Sequence, residues 1–332
     1  MNMHAVSITA REHAELVANL PPPGDPGPEE IRGRTLWTLI SPGTELAACY
    51  QGSRFPSYPG YAAVFEVQAI GTGVKRFRPG DIAFCMGSHR SVQQVSETMA
   101  VAVPKGLEPA TAVLARLMGV SMTTLMTTAA RAGDRVLVTG AGPVGFLAAH
   151  IFVRGGYDVL VVEPDTRRHA ALARSGRFQV FTQIPLDDPK IVGNVALAVE
   201  CSGHEQAVLD ACNVVRPRGE VVLVGVPWQR RTDRTAHELL HAVFHRYIVL
   251  RSGWEWELPQ VTSKFQPHSI MNNFALALQW LNEGLVDTEE LVRLGDPRDP
   301  QPVYQDLLHR RTDALFCLFD WGRLAGNGEG VA

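Results

Sequence analysis

The residues most able to do chemistry in this 332-residue chain start with three glycines, in Gly140-Ala-Gly-Pro-Val-Gly145. They follow an apolar run at residues 134–139, and the pattern predicts a strand, a tight turn and a helix N-terminus. Gly140 permits the turn, Gly142 lets a pyrophosphate approach the backbone, and Gly145 lets the helix pack closely on the strand. The diphosphate would rest on free amides at the helix start. Pro143 suits the first helical position, where its missing amide has no intrahelical partner, and Val144 opens an apolar helix face. A second buried strand, residues 157–163, ends in Glu163, about twenty residues on, where an acid can bind the ribose 2′-hydroxyl. That favours NAD. Arg167 and Arg168 keep NADP open, because an arginine there can accept a 2′-phosphate.

Other reactive residues are scattered. His89, in Gly87-Ser-His-Arg90, is a candidate proton carrier by residue type, against the plainer reading of a surface-loop histidine. Trp254-Glu-Trp256 could wall an aromatic substrate pocket or pack in a seam between domains. His237-Glu-Leu-Leu-His241 is a formal HExxH, which on a helix offers two zinc ligands and a glutamate base. Phe244 stands where the extended metzincin pattern needs glycine. Leu239, Leu240 and Val243 explain the segment as an amphipathic connecting helix.

Those residues need a scaffold, and the chain alternates between two kinds of element. Residues 4–20, 31–40, 59–71 and 77–84 read as strands punctuated by proline and glycine. A helical stretch at 109–130 leads into alternating strands and helices, with further strands at 178–182, 195–201, 220–225 and 247–252. Alternation of this kind gives a doubly wound parallel sheet whose ligand crevice lies beyond the strand carboxyl ends. Those ends place Cys201, Ser202, Gly225, Val226 and Gly253 beside Gly140 and Glu163. A helix near 270–282 and a closing strand at 315–319 end the chain. The expected domains are 1–121, 122–262 and 263–332, the last returning to the first. The sixth strand is a sheet edge suited to pairing two subunits as a homodimer.

Composition narrows the partners to a small-molecule substrate. A formal net charge of −3 provides no basic footprint for nucleic acid, and no uninterrupted apolar stretch of spanning length points to a membrane. No basic, then apolar, leader opens the sequence. The five cysteines, at 49, 85, 201, 212 and 317, form no CxxC pair, which fits a reducing cytoplasm.

The whole layout resembles the medium-chain dehydrogenase/reductase superfamily. Gly43-Thr-Glu45, Pro59-Gly60, Arg78-Pro-Gly-Asp81, Gly140 to Gly145 and the run from Arg216 to Gly225 stand in that family's order and spacing. The resemblance implies a Rossmann sheet with a β-rich GroES-like catalytic domain built from both termini, and hydride transfer to or from a nicotinamide. Zinc-dependent members carry ligands where this chain has Pro42, Tyr61-Ala62 and Ala115 or Arg116, and such residues cannot build an open tetrahedral zinc site. The chain is thus similar to the zinc-independent branch. Ser41-Pro-Gly-Thr-Glu45 and the closing Phe319-Asp-Trp321 are similar to the group containing 2-desacetyl-2-hydroxyethyl bacteriochlorophyllide a dehydrogenase.

In the absence of a metal, protein donors must manage the charge on the substrate oxygen. Thr44 matches the hydroxyl that relays the alcohol proton in zinc-dependent relatives, Tyr61 replaces a ligand and offers a phenol, and Glu45 either orients a neighbour in the substrate pocket or is a structural acid paired with an arginine. The expected function is a zinc-independent, NAD-preferring oxidoreductase acting on a carbonyl or secondary alcohol in a cleft between the domains. An enone or quinone reductase, and a cofactor binder without turnover, remain as alternatives.

Overall fold

The computed structural model describes residues 2–174 and 178–325. By contact the chain divides into two compact units. Met1–Arg116, Gln260–Lys264 and Phe274–Ala332 form one, and Leu117–Pro259 with Phe265–Asn273 form the other. The second unit therefore starts at 117, where the sequence reading puts a boundary at 122, and it takes in residues 265–273 of the expected return.

The first unit opens with an antiparallel hairpin, β1 Met3–Ala10 and β2 His13–Leu20. Five more strands follow: β3 Glu30–Leu39, β4 Ala62–Ile70, β5 Ile82–Cys85, β6 Val92–Ser96 and β7 Ala100–Ala102. Burial alternates along the first half of β3, so Ile31, Gly33 and Thr35 are buried while Arg32 and Arg34 reach solvent. The proline-rich stretch at 21–28 stays outside the ladders, because proline lacks a backbone donor.

The second unit holds six strands: β8 Arg135–Thr139, β9 Asp158–Val162, β10 Gln179–Phe181, β11 Val195–Glu200, β12 Val215–Leu223 and β13 Val249–Ser252. All pair in parallel, in the order β10-β9-β8-β11-β12-β13. The order in which the chain adds strands reverses between β8 and β11, which is where a doubly wound sheet opens its ligand crevice. β12 begins earlier than the expected residue 220: Arg218 takes a left-handed φ of 64° and the register shifts at its start, so Pro217 and Gly219 sit in a bulge. β13 begins later than expected, because Tyr247 caps the helix Ala236–Arg246 in a left-handed conformation.

The chain then returns to the first unit with β14 Val292–Gly295 and β15 Phe316–Asp320, and that sheet runs β14-β15-β3-β4-β5-β7 with β6 on β3. β14 and the helix Gln301–Leu308 were not separable in the mixed pattern of the tail. The stretch Pro109–Thr127, 19 residues, is long and apolar enough by length and composition to cross a membrane, although Arg116 interrupts it. Some 67% of its apolar window is buried inside the protein, as in a core helix.

Candidate active site

At the end of β8 the glycine turn takes the predicted form. Gly140 has φ 79°, and a Cβ there would lie 2.9 Å from that of Ser202. Gly142 caps the helix Pro143–Arg154 with Pro143 and Val144 in its first turn, and a Cβ at Gly142 would meet only Arg168 Nη1, at 3.8 Å. A Cβ at Gly145 would overlap the Gly140 carbonyl. Gly145 is thus needed for packing, whereas Gly142 leaves room beside the amides of a helix start. That combination fits a dinucleotide diphosphate.

Glu163 lies beside this turn but is more engaged than a free ribose ligand. Its Oε2 accepts from the Ala141 amide at 2.7 Å and from Arg168 Nη1 at 3.2 Å, and its Oε1 accepts from the Asp165 amide at 2.8 Å. Arg167 is held by Asp165. Hydrogen bonding from its guanidinium pulls the Asp165 carboxyl down to about 2. Both arginines that could take a 2′-phosphate therefore already face carboxylates.

The neighbouring strand ends complete the crevice floor of this unit. Glu200, at the end of β11, accepts from the Ser202 amide at 2.7 Å, the Gly203 amide at 3.1 Å, Thr139 Oγ1 at 3.3 Å and the Ser202 hydroxyl. Burial pushes its carboxyl up, and these bonds pull the other way. The Cys201-Ser202-Gly203 turn is thereby fixed against Gly140. Gly203, at φ 64°, and Gly225 approach each other so closely that a Cβ on either would strike the other strand's turn. Val226 is exposed, and Gly253 donates to the Leu223 carbonyl at 2.8 Å. Cys201 is an unreactive thiol pushed well up by burial.

In the first unit the expected proton carriers have different surroundings. His89 is fully buried, contrary to its plainer reading as a surface-loop histidine. Its Nδ1 lies 2.7 Å from Thr38 Oγ1 and its Nε2 3.0 Å from Glu45 Oε2. Glu45 also accepts from the Ser41 amide at 2.8 Å and the Tyr304 hydroxyl at 2.8 Å, and Trp321 Nε1 donates to Thr38 at 2.9 Å. Glu45 is thus a structural acid, but its partners are a histidine and a tyrosine, not the arginine expected. Burial first, and Glu45 next, push the Tyr304 phenol well up. Thr44 closes the helical turn Pro42–Thr44, half-buried.

Tyr61 takes part in a contact that sequence reading did not reach. The Arg116 guanidinium carbon stands 3.9 Å from the centre of its ring and 5.6 Å from that of Phe274. In the sequence Arg116 marks only a position lacking a zinc ligand, whereas Tyr61 is also a candidate phenol for managing the charge on the substrate oxygen. Their shared role as replacements was the available signal. Thr38, Tyr304 and Glu200 carried none, since each acts through a fold-dependent contact. Trp254 and Trp256 are 68% and 42% exposed, so neither is packed in a core. Glu238 of the HExxH segment accepts from the Thr235 amide at 2.7 Å and pairs with Arg234 at 2.7 Å. It is spent as the helix-capping residue.

Comparison with known proteins agrees with this geometry. Residues 107–252 match the family model for the glucose dehydrogenase C-terminus. L-threonine 3-dehydrogenase of Pyrococcus horikoshii is 28% identical over 245 residues, 60% of this chain and 70% of that one. Among solved structures, galactitol-1-phosphate dehydrogenase of Escherichia coli superposes with a TM-score of 0.80 at 17% identity, over 96% of this chain and 99% of that one. Acetophenone reductase of Geotrichum candidum, in complex with NAD, gives 0.78 at 14% identity, over 96% and 97%. The fold is that of the medium-chain alcohol dehydrogenases. By these matches the chain is similar to threonine and polyol dehydrogenases, and solved structures of this fold include ones that hold NAD or NADP.

Proposed function

We propose that the chain is a zinc-independent dehydrogenase, preferring NAD, that interconverts a secondary alcohol and a carbonyl compound. The observation that carries the metal-free part is the stacking of Arg116 on Tyr61. Two of the three places where zinc-dependent relatives hold ligands meet here as a guanidinium and a phenol, and Pro42 in the third offers no side-chain donor. Among the described residues no group of three or more His, Cys, Asp or Glu could hold a metal ion. The donor set does not fit a catalytic zinc. Bound nicotinamide supplies hydride exchange with the substrate carbon. Thr44 and Tyr61 relay the hydroxyl proton, while His89 is removed from that role by its burial and its engaged nitrogens.

NAD preference is supported by the pairing of Arg168 with Glu163 and of Arg167 with Asp165, since a 2′-phosphate would have to displace a carboxylate from either arginine. The bacteriochlorophyllide dehydrogenase-like assignment is supported by the meeting of its two sequence signatures, because Ser41 and Glu45 join Trp321 through His89 and Thr38. The proposed homodimer uses β13, at the sheet edge and carrying exposed Val249. Five free thiols are consistent with the cytoplasm. The test is metal analysis of the purified protein with an alcohol and ketone panel before and after chelation. Stoichiometric zinc, with activity lost to the chelator, would sink the metal-free reading.

A further inference from the structure

We infer that Glu45 is a positioning residue for the reaction: one of its carboxylate oxygens closes the turn that carries Thr44, the other fixes that turn to the core beneath it, and the clamp holds the Thr44 hydroxyl where it can relay a proton. The inference rests on the dehydrogenase reading above.

Three observations carry it. Ser41 and Glu45 are joined twice, because the Glu45 amide donates to the Ser41 carbonyl at 2.8 Å and the Ser41 amide donates to Glu45 Oε1 at 2.8 Å. Pro42, Gly43 and Thr44 lie between these bonds, so the turn is tied across its base, much as a reciprocal cap ties a helix start. Glu45 Oε2 serves the other end. It lies 3.0 Å from His89 Nε2 and accepts from the Tyr304 hydroxyl at 2.8 Å, and all three side chains are buried. A buried polar cluster with its members paired holds one geometry. The third observation is the winding of the chain: Glu45–Tyr50 is a six-residue π-helix, a rare form that recurs at functional sites. Its last residue, Tyr50, stacks on Tyr304 with ring centres 5.1 Å apart, so both ends of the π-helix rest on that tyrosine.

Thr44 is left available by this arrangement. It stands at the N-cap of the π-helix, where a threonine hydroxyl ordinarily accepts from a backbone amide, yet its side chain makes no cap hydrogen bond. Glu45 ties the turn in its place. The hydroxyl of half-buried Thr44 is therefore placed by its neighbour and not spent on the backbone. A relay group has to sit within hydrogen-bond reach of the reacting oxygen, and a misplacement of about 1 Å costs on the order of a hundredfold in rate.

The test is Glu45→Gln, which keeps the shape and one acceptor for the Ser41 amide but turns an amide group toward His89 and Tyr304. The alcohols assayed with NAD are 2-propanol, cyclohexanol, 2,3-butanediol and 1-phenylethanol. For those that wild type oxidises, kcat should fall roughly tenfold to a hundredfold, with KM and NADH affinity unchanged. The solvent deuterium isotope effect on kcat should rise as the proton step becomes limiting. In the cofactor-free protein, hydrogen exchange should quicken at residues 41–45 and hold elsewhere. Adding Glu45→Gln to Thr44→Val, itself slow, should cost nothing more, because the clamp acts through that hydroxyl. If Glu45→Gln does not fold, Tyr304→Phe, which keeps the stack on Tyr50 and removes one donor, should lower kcat roughly threefold to tenfold with KM unchanged. Wild-type kcat in the folded variant, losses that add in the double variant, or a Thr44→Val enzyme as fast as wild type each overturn the inference and leave the dehydrogenase reading standing. Wild type that oxidises none of the alcohols, or does not bind NADH, overturns that reading and the inference with it.

Discussion

His89 Nε2 lies 3.0 Å from Glu45 Oε2 with both side chains buried, and the pair is the middle of a chain of hydrogen bonds. Trp321 donates to Thr38, Thr38 Oγ1 pairs with His89 Nδ1, His89 Nε2 pairs with Glu45, and Tyr304 donates to the same carboxylate. Both ring nitrogens of His89 are thereby engaged. Apolar residues surround the chain, Val6, Ile8, Tyr50 and Phe319 among them. The network therefore ties β3, β15 and the segment after Ser41 into one core.

Thr38→Val tests this network. It leaves His89 Nδ1 and Trp321 Nε1 buried without their shared partner, and a buried polar group left unsatisfied costs about 1–3 kcal/mol. Denaturant unfolding should show a lower midpoint with unchanged slope. NADH affinity, measured by calorimetry on the folded protein, should not move. A drop in NADH affinity without a drop in stability would return His89 to the candidate catalytic groups.

Two glycines of one turn should respond in opposite ways. In Gly145→Ala the new methyl overlaps the Gly140 carbonyl, backbone that cannot swing aside, so the fold should lose about 1–3 kcal/mol. Gly142 has ordinary extended backbone, with φ −65° and ψ −175°, and an added Cβ there is 3.8 Å from its nearest neighbour. Gly142→Ala should therefore melt like wild type and still bind NADH poorly, because the methyl occupies the diphosphate's approach. Retained NADH affinity in Gly142→Ala would show that no phosphate comes that close.

How much of this was legible in the sequence depends on the range of each contact. The turn from Gly140 to Gly145 and the acid at Glu163 were legible because turn geometry and strand length are local, and the sheet follows from alternation of elements. The interior of the first unit was not. Glu45 and His89 are 44 positions apart, and Glu45 and Tyr304 are 259 apart, so their meeting depends on how the tail strand β15 pairs with β3. A histidine flanked by Gly87, Ser88 and Arg90 has the composition of a surface loop, and only the fold shows it buried. Tyr61 and Arg116 illustrate the intermediate case: each was noticed as a departure from a ligand pattern, yet their contact required coordinates.

Glu163 should govern the choice of cofactor. Glu163→Ala removes the acceptor of the Ala141 amide and frees Arg168. NADH affinity should fall roughly tenfold to a hundredfold, the range for a lost charge-assisted hydrogen bond, while NADPH affinity should hold or rise as the released arginine meets the 2′-phosphate. Fluorescence titration with both reduced cofactors checks this. Parallel losses for the two would mean that Glu163 only braces the turn.

Glu200 makes stability depend on pH in a direction opposite to that of most carboxylates. Burial, the largest cause, raises its folded-state value above the ordinary glutamate one, so between those two values the folded chain holds a proton that the unfolded chain has released. Stability then falls as pH rises through that window and stays level above it. A carboxylate held down by partners, such as Asp165 with Arg167, has the reverse sign: its contribution is present above the unfolded value and is lost as pH falls through about 2. Glu200→Gln cannot ionise and keeps one oxygen to accept from the Ser202 amide, though it loses the Oε2 bond from Gly203. Unfolding midpoints of wild type and Glu200→Gln, followed from acid to neutral pH, should diverge in the variant's favour across the window and then run parallel. Midpoints that move together throughout would mean that Glu200 is ionised as readily in the folded chain as in the unfolded one.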